Sequence, residues 1–246
     1  PAAEYLENHI PGAVFFDIDD ICDETSELPH MLPSPEKFAS RVRKLGLGDG
    51  NRIVVYDSNG GFSAAARVWW MFRVFGHGDV AVLDGGLPQW LSEGRSTDDR
   101  EPSPSPRHFT AQLNHILVRN IDQLRENIGS RRDQIVDARA ADRFAGTGEE
   151  PRPNMRKGHI PGSLNLPYPG LMNPNDNFVM RPADELKSAF AAIDVDLRQP
   201  IAASCGSGVT AAVIALGLYL IGHRDAAVYD GSWTEWGGRE DTPIDT

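Results

Sequence analysis

The sequence predicts an α/β protein built from two tandem copies of one unit, each a mainly parallel sheet flanked by helices. Two observations support this fold class. Similar segments recur in the same order in the two halves of the chain, and short apolar strands alternate with helical segments in each half. Strands that alternate with helices are typical of parallel pairing in an α/β layer fold.

Three pairs of similar segments carry the repeat, and their offsets fall from 150 to 148 to 146 residues along the chain. The pairs are HIPGAVFFDI from His9 with HIPGSLNLPY from His159, IVVYD from Ile53 with IAASC from Ile201, and LDGGLPQW from Leu83 with YDGSWTEW from Tyr229. Matches in the same order with slowly drifting offsets indicate a duplicated unit.

The second copy alternates helix and strand. We predict helices in NIDQLRENI, in DELKSAFAAI after a capping Asp184, and in VTAAVIALGLYLI. We predict strands in QIVDAR, PIAAS and AAVYDG. The first copy repeats the pattern with the strand RIVVYD, the helix FSAAARVWWMFRVFG from Phe62 and the strand VAVLDGG.

These elements divide the chain into an N-terminal unit at 1–93, a linker at 94–113 and a C-terminal unit at 114–246. The linker is predicted because GRSTDDREPSPSPRH is rich in Pro, Ser and charge and has no apolar period. In the second copy the strand QIVDAR precedes HIPG, whereas only eight residues precede His9. We expect the counterpart strand upstream of Pro1, so that this chain lacks its native N-terminus.

Composition narrows the function classes. The 246 residues carry a net charge of −11, which argues against nucleic acid or an anionic membrane as a partner, because both favour a basic face. No apolar run has the ~18 residues that a membrane span needs. Two cysteines do not make a disulfide framework, so we expect free thiols in a reducing compartment, the cytoplasm.

Cys205 stands in a glycine-flanked bend, CGSG, between a predicted strand and a predicted helix. Gly206 and Gly208 permit a tight turn in which successive amide N–H groups face inward at a helix N-terminus. Such surroundings lower a cysteine pKa from about 8.5 to between ~3.5 and ~7.5. We therefore predict a nucleophilic thiolate, against the alternative of a buried, inert thiol.

Two other cysteine enzyme classes fit poorly. A cysteine phosphatase needs an arginine six places after its cysteine, and Ala211 stands there. A cysteine protease needs a histidine base and an open oxyanion hole, for which the sequence has no signature.

The segment CGSGVTA, with GHIPG before it and YDGSWTEW after it, resembles the tandem-domain rhodanese superfamily. The resemblance extends over nearly the whole chain, including HIPGAVFFDID, HMLPSPEKFA, RVWWMFRVFGH and DARAADRFAGTGEEPRP. It implies two tandem rhodanese-like domains. The branch that uses thiosulfate has a basic loop resembling CRKGVT. The neutral loop here favours the branch, bacterial in type, that uses 3-mercaptopyruvate.

The resemblance implies sulfur transfer through a Cys205 persulfide without metal or organic cofactor. The donor is 3-mercaptopyruvate, pyruvate is released, and the acceptor is a thiol such as thioredoxin or a small thiol, or cyanide. Two hypotheses remain beside it: a thiosulfate sulfurtransferase, and a rhodanese-like sulfur-carrier or binding module without turnover.

The resemblance also assigns site residues. Arg143 and Arg152 would hold the carboxylate and keto oxygen of the substrate, as guanidinium groups do. The remaining loop residues expected at the substrate are Gly206, Gly208, Val209 and Thr210. A serine–histidine–aspartate set maps to Ser207, His30 and Asp19. Because two of its members come from the first copy, we expect the site in the cleft between the copies.

The first copy is predicted to be catalytically silent. Asp57 stands at the place of Cys205, and an aspartate cannot carry sulfane sulfur. His9 and His159 open the HIPG turn in both copies, although only one copy has the cysteine, so we interpret them as structural. Cys22, flanked by acids in DICDE, is interpreted as a bystander.

Overall fold

The computed structural model describes residues 2–60 and 63–246 and divides into two compact units. The first comprises residues 1–114 with 173–179, and the second comprises residues 115–172 with 180–246. The described helices include none with both the length and the apolar composition that crossing a membrane needs.

The first unit has four helices and two parallel strands among its described residues. They are α1 (Ala2–Glu7), α2 (Pro35–Lys44), β1 (Ile53–Val55), α3 (Ser63–Val74), β2 (Val80–Val82) and α4 (Gly86–Ser92). The strand–helix–strand order of β1, α3 and β2 confirms the prediction for this copy. Phe62, where the predicted helix starts, lies outside the described residues.

The core of the first unit is aromatic. Phe38 of α2 stacks on Phe75 at 4.2 Å and meets the edges of Phe72 and Phe109 at 5.3 and 5.7 Å. The indole rings of Trp69 and Trp70 on α3 are buried with them. Edge-to-face and offset pairs of this kind favour one packing arrangement over others.

The segment 94–113 is not a free connection between units. His9 and Asp98 exchange two backbone hydrogen bonds, and the Asp49 N–H donates to the His108 carbonyl at 2.8 Å. Arg43 donates to the carbonyl of Phe109, which is fully buried. Residues 94–113, whose polar composition predicts a linker, therefore form a strap that packs on the first unit.

The second unit has a five-stranded parallel sheet in the order β3–β7–β6–β4–β5. Helices and short 3₁₀ turns connect the strands. The elements are a 3₁₀ turn (His115–Leu117), β3 (Val118–Arg119), α5 (Ile121–Ser130), β4 (Gln134–Asp137), α6 (Ala141–Phe144), β5 (Leu164–Asn165), a 3₁₀ turn (Tyr168–Leu171), α7 (Ala183–Ala191), β6 (Ile201–Ser204), α8 (Ala211–Leu220), β7 (Ala227–Tyr229) and α9 (Ser232–Trp236).

Two helix starts differ from the prediction. Helix α7 begins at Ala183 after Pro182, so Asp184 lies in its first turn and does not cap it. Helix α8 begins at Ala211 rather than near Val209, which lengthens the cysteine loop to Cys205–Thr210. The predicted burial of α8 is confirmed: its residues from Ala211 to Leu218 are buried.

The HIPG turn has the same contacts in both units. His9 Nδ1 lies 2.7 Å from the Tyr5 carbonyl oxygen, and the imidazole of His9 stacks on the Tyr5 ring with 4.3 Å between the ring centroids. His159 Nδ1 lies 2.8 Å from the Phe144 carbonyl oxygen, and the imidazole of His159 stacks on the Phe144 ring with 3.8 Å between the ring centroids. Asp245 pairs with His159 as Asp98 pairs with His9. This geometry supports a structural role for both histidines.

Candidate functional site in the second unit

The site lies where the direction of the strand connections reverses. Strands β4 and β6 are neighbours in the sheet. The connection from β4 leads to β5 on one side of this pair, and the connection from β6 leads to β7 on the other side. In open parallel sheets, such a reversal opens a crevice at the carboxyl ends of the two central strands. The segments after β4 and β6 carry the predicted arginines and Cys205, respectively.

The backbone of the cysteine loop is held from the turn after β7. The Trp233 N–H donates to the Cys205 carbonyl at 2.9 Å, and the Thr234 N–H donates to the Gly206 carbonyl at 2.8 Å. The Thr234 hydroxyl also donates to the Gly206 carbonyl, at 2.6 Å. These bonds direct two loop carbonyls towards the turn after β7. Cys205 itself is only 1% exposed.

This arrangement points the amide N–H groups of Gly206 and Ser207 away from the turn after β7, because the N–H and C=O of one trans peptide point in opposite directions. Within the described part of the chain, the amide groups of Gly206, Ser207, Val209 and Thr210 donate to no protein acceptor. The ten-residue helix α8 starts directly behind them. Unpaired amides at a helix N-terminus favour an anion in the loop. A thiolate or a persulfide is such an anion.

The two loop glycines have different roles. Gly208 has φ +76°, a conformation that residues with a Cβ rarely adopt. Gly206 does not have positive φ, so our expectation that both glycines relax the turn is wrong for Gly206. A Cβ at Gly206 would make only ordinary van der Waals contacts with the side chains of Arg143 and Arg152.

Arg143 and Arg152 both approach the cysteine loop. A Cβ built on Gly206 would lie 3.5 Å from Nη2 of Arg143 and 4.0 Å from Nη1 of Arg152. The Nε of Arg143 is buried without a hydrogen-bond partner among the described residues. A buried, unpaired guanidinium donor beside a cysteine is free to receive an acceptor atom of a ligand.

A buried ion-pair chain aligns Arg143, and the sequence analysis missed it. Arg139 makes a bidentate contact with Asp137 at 2.8–3.1 Å and donates to Glu150 Oε1 at 2.9 Å. The second oxygen of Glu150 accepts from Arg143 Nη2 at 2.6 Å. The guanidinium of Arg139 also lies 4.2 Å from the ring centroid of Trp233. The only available signal was the run of charges in DARAADRF and GEEPRP.

Ser232 is a second residue that the sequence analysis missed. Its side chain is fully buried. Its Oγ accepts from the Cys205 N–H at 3.1 Å and donates to the Tyr229 carbonyl at 2.8 Å, and the same Oγ lies 3.9 Å from Sγ of Cys205. Its φ is +48°, which is uncommon for a residue with a Cβ. In the first unit Gly86 occupies the equivalent place with φ +56°. Serine at a position that suits glycine indicates a role for its hydroxyl.

The first unit repeats the loop scaffold without the cysteine. The Leu87 N–H donates to the Asp57 carbonyl at 3.0 Å, as the Trp233 N–H donates to that of Cys205. Asp57 therefore occupies the structural place of the nucleophile, as the repeat predicts. Among residues 2–60 and 63–246, no group of three or more His, Cys, Asp or Glu side chains is placed to hold a metal ion.

The remaining predicted residues are divided between the units. Ser207 is half-buried in the cysteine loop. In the first unit, His30 Nδ1 lies 2.9 Å from Asp19 Oδ1, at an angle that does not make a hydrogen bond. The two first-unit residues thus meet each other. The expectation that they share a cleft with Ser207 and Cys205 stays a prediction.

The second cysteine is less easily ionised than an ordinary thiol. Burial is the largest cause that raises the pKa of Cys22, and Asp19, Glu24 and Asp20 add to it, while Lys37 opposes them. This supports the interpretation of Cys22 as a bystander, with burial rather than the acids as the main reason.

Replacing Ser232 tests its contact with Cys205. In both Ser232→Gly and Ser232→Ala we expect Cys205 to react about tenfold more slowly with iodoacetamide at neutral pH. The hydroxyl, which donates to the Tyr229 carbonyl, turns to the thiolate when Cys205 ionises, and a hydrogen bond to a charged group contributes ~1.5–3 kcal/mol. Peptide mass spectrometry separates the two cysteines, and Cys22 is the internal reference. Unfolding by urea should show Ser232→Gly the more stable of the two by ~1 kcal/mol, because glycine relieves the positive φ. An unchanged Cys205 rate in both variants contradicts the role.

The half-buried carboxyl of Glu235 predicts a pH effect on stability. Burial raises the pKa of Glu235, which accepts a hydrogen bond from the Tyr229 hydroxyl at 2.8 Å. The raised pKa means that neutral Glu235 stabilises the fold at low pH and that this stability is lost as pH rises through the folded-state pKa. Glu235→Gln should therefore melt above the wild type at pH 8, with the difference vanishing near pH 4.

The matched control is Glu240→Gln, at an exposed position on the same segment. It should follow the wild-type melting temperature at every pH. If Glu235→Gln melts below the wild type at pH 8, the ionised carboxylate is the stabilising form and the interpretation is wrong.

Known proteins resemble the chain over nearly its whole length. A model of the rhodanese-like domain matches residues 1–93 and 120–239. Human 3-mercaptopyruvate sulfurtransferase is 46% identical over 95% of this chain and 78% of its own length. Bovine thiosulfate sulfurtransferase is 47% identical over the same shares.

A solved structure agrees with this assignment. SseA from Escherichia coli, described as a 3-mercaptopyruvate sulfotransferase with the rhodanese fold, superimposes with a TM-score of 0.85 at 40% identity. The match covers 94% of this chain and 86% of that one. With the matched domain model, the repeat and the geometry of the second unit, these similarities show that the chain belongs to the rhodanese family and has two rhodanese-like domains.

Proposed function

We propose that the protein is a sulfurtransferase that takes sulfur from 3-mercaptopyruvate, holds it as a persulfide on Cys205 and passes it to a thiol. The observation that carries this proposal is the position of two guanidinium groups, those of Arg143 and Arg152, beside Gly206 in the cysteine loop. A short keto acid held by both would present its sulfur to the neighbouring Sγ.

The charges of the site favour a monoanion. Three arginines and two carboxylates make up the cluster of Asp137, Arg139, Arg143, Glu150 and Arg152. Because Asp137 and Glu150 are both paired with arginines, the cluster keeps one net positive charge. That charge matches the single carboxylate of 3-mercaptopyruvate, and the keto oxygen offers a second acceptor.

Thiosulfate is the second candidate donor, favoured by the 47% identity to bovine thiosulfate sulfurtransferase. It is a dianion without a carboxylate. The loop Cys205–Thr210 has no lysine or arginine to balance the second charge. We therefore rank it below the keto acid.

The chemical step forms one bond and breaks one. The Cys205 thiolate attacks the donor sulfur, the carbon–sulfur bond breaks, and its electron pair becomes the enolate of pyruvate. The arginines stabilise the enolate oxygen, and a proton delivered to carbon completes pyruvate. We propose that Ser207, with His30 and Asp19, handles this proton.

The second half-reaction returns the thiolate. An acceptor thiolate, from thioredoxin or a small thiol, attacks the outer sulfur and leaves with it as a persulfide. Cyanide serves as acceptor in an assay. We place the reaction in the cytoplasm, because Cys22 and Cys205 are both free thiols.

The direct experiment compares donors. We expect pyruvate release from 3-mercaptopyruvate with a kcat/KM at least about tenfold above that for sulfur transfer from thiosulfate. Without an acceptor, the peptide that contains Cys205 should gain the mass of one sulfur atom, and the peptide that contains Cys22 should not. Cys205→Ser should lose both signals, whereas Cys22→Ser should keep both.

A higher kcat/KM with thiosulfate than with 3-mercaptopyruvate would show that thiosulfate is the preferred donor. Loss of neither signal in Cys205→Ser would refute the persulfide route. A wild-type protein that gains sulfur but releases none to any thiol would be a carrier rather than an enzyme.

Glu150 is predicted to position Arg143. In Glu150→Gln the substrate should still bind, since the cluster gains positive charge, but Arg143 loses its fixed orientation. We expect kcat with 3-mercaptopyruvate to fall about tenfold while KM changes less than about threefold. Alkylation of Cys205 should keep its wild-type rate.

Glu149→Gln is the matched control, because Glu149 is exposed and pairs only with Lys157 among the described residues. It should leave kcat and KM unchanged. Glu150→Gln with unchanged kcat, in a protein that melts as a folded domain, would show that Arg143 needs no such alignment.

A further inference from the structure

The first unit buries a charged side chain in the middle of a helix. Arg67 of α3 is 0% exposed and stands between the buried residues Ala66 and Val68. Taking a guanidinium out of water costs several kcal/mol unless hydrogen bonds and other contacts compensate for it. An arginine at this place therefore needs a specific reason.

The repeat shows that the fold itself does not require this arginine. By the offset of 148 residues that relates Ile53 to Ile201, Arg67 corresponds to Ala215 of α8. Ala215 is only 2% exposed, so the equivalent helix of the second unit fills this place with a methyl group. The guanidinium of Arg67 therefore serves a contact that belongs to the first unit alone.

One such contact is with the main chain of His30. Nη2 of Arg67 donates to the His30 carbonyl at 2.5 Å. The guanidinium also lies 4.5 Å from the ring centroid of Trp70 on the same helix, which favours one orientation of its plane. Because α3 is packed in the core, the hydrogen bond connects His30 to a rigid element.

His30 has a backbone conformation that needs support from its surroundings. Its φ is +60°, in the left-handed region that residues with a Cβ rarely adopt. Its Nδ1 is buried and lies 2.9 Å from Oδ1 of Asp19. A residue in this region costs ~1–3 kcal/mol and keeps the conformation only when other contacts enforce it. The hydrogen bond from Arg67 is such a contact.

We propose that Arg67 is a positioning residue, which holds the imidazole of His30 through its carbonyl in the orientation that delivers a proton to the enolate of pyruvate. The inference rests on the proposed function, in which His30 takes part in this proton transfer. Arg67 is fully buried and acts through His30 rather than on the substrate. Its loss should slow the proton step and leave the attack by Cys205 unchanged.

The test replaces Arg67 by Met, which keeps an unbranched side chain and removes the donor. With 3-mercaptopyruvate we expect kcat to fall about tenfold, the effect of one hydrogen bond from a charged group, and KM to change less than about threefold. The solvent deuterium isotope effect on kcat should rise, because proton delivery becomes the slow step. Alkylation of Cys205 by iodoacetamide should keep its wild-type rate.

Arg73→Met is the matched control on the same helix. Arg73 lies in the last turn of α3, and its guanidinium also stacks on an indole, 4.8 Å from the ring centroid of Trp69. This variant should keep the kcat and the isotope effect of the wild type. An equal loss of kcat in both variants would show that the effect comes from packing of the helix and would overturn the inference.

A change in the main chain tests the same hydrogen bond with every side chain in place. Replacing Met31 by its α-hydroxy analogue turns the His30 carbonyl into an ester carbonyl, which is a weaker acceptor. The N–H that is lost donates to no protein acceptor among the described residues. We expect kcat to fall about threefold, with the same rise in the isotope effect. An unchanged kcat in this protein would contradict the inference even if Arg67→Met does not fold.

A double-mutant cycle with His30→Asn separates the inference from the proposed function. Asparagine tolerates the left-handed conformation and removes the imidazole. If Arg67 acts through His30, Arg67→Met should lower kcat no further in the His30→Asn protein. The same loss in both backgrounds, or a loss without a change in the isotope effect, would overturn the inference. An unchanged kcat in His30→Asn alone would refute the proton route of the proposed function, and the inference with it.

Discussion

Two backbone hydrogen bonds determine the direction of the cysteine loop, and the rest of the site depends on them. They run from the N–H groups of Trp233 and Thr234 to the carbonyls of Cys205 and Gly206. With these carbonyls held towards the turn after β7, the amides of Gly206 and Ser207 point the opposite way, and α8 starts directly after the loop. A sulfur anion placed there meets oriented donors and needs little reorganisation of its surroundings. The side chains beside it then decide which sulfur donor can enter.

Burial and charge act together around this loop. Cys205 is as buried as the core, yet the Ser232 hydroxyl lies beside its Sγ, and Arg143 and Arg152 lie beside the next residue, Gly206. Buried charges are tolerated when they are paired and hydrogen-bonded, as Arg139 is with Asp137 and Glu150. The network thus holds one guanidinium rigidly while leaving the Nε of Arg143 free for a ligand.

Sequence reasoning succeeded where a local pattern had one physical solution. The alternating elements predicted the parallel sheets, and the repeat predicted that Asp57 occupies the place of Cys205. The apolar run of α8 predicted its burial. The sequence does not predict contacts between residues that no helical or strand periodicity relates. Glu150 and Arg139 lie 11 residues apart across an irregular segment, and Ser232 has a left-handed conformation that its residue type does not signal. The strap 94–113 has the composition of a linker, but its backbone hydrogen bonds attach it to the first unit.

The central claim is that backbone amides stabilise negative charge on Cys205, and removal of a single amide tests it most directly. Replacing Val209 by its α-hydroxy analogue converts that N–H to an ester oxygen and keeps the side chain. The account predicts that Cys205 alkylation at neutral pH slows about tenfold, the effect of one charge-assisted hydrogen bond, with the unfolding temperature nearly unchanged. An alkylation rate equal to that of the wild type would contradict it.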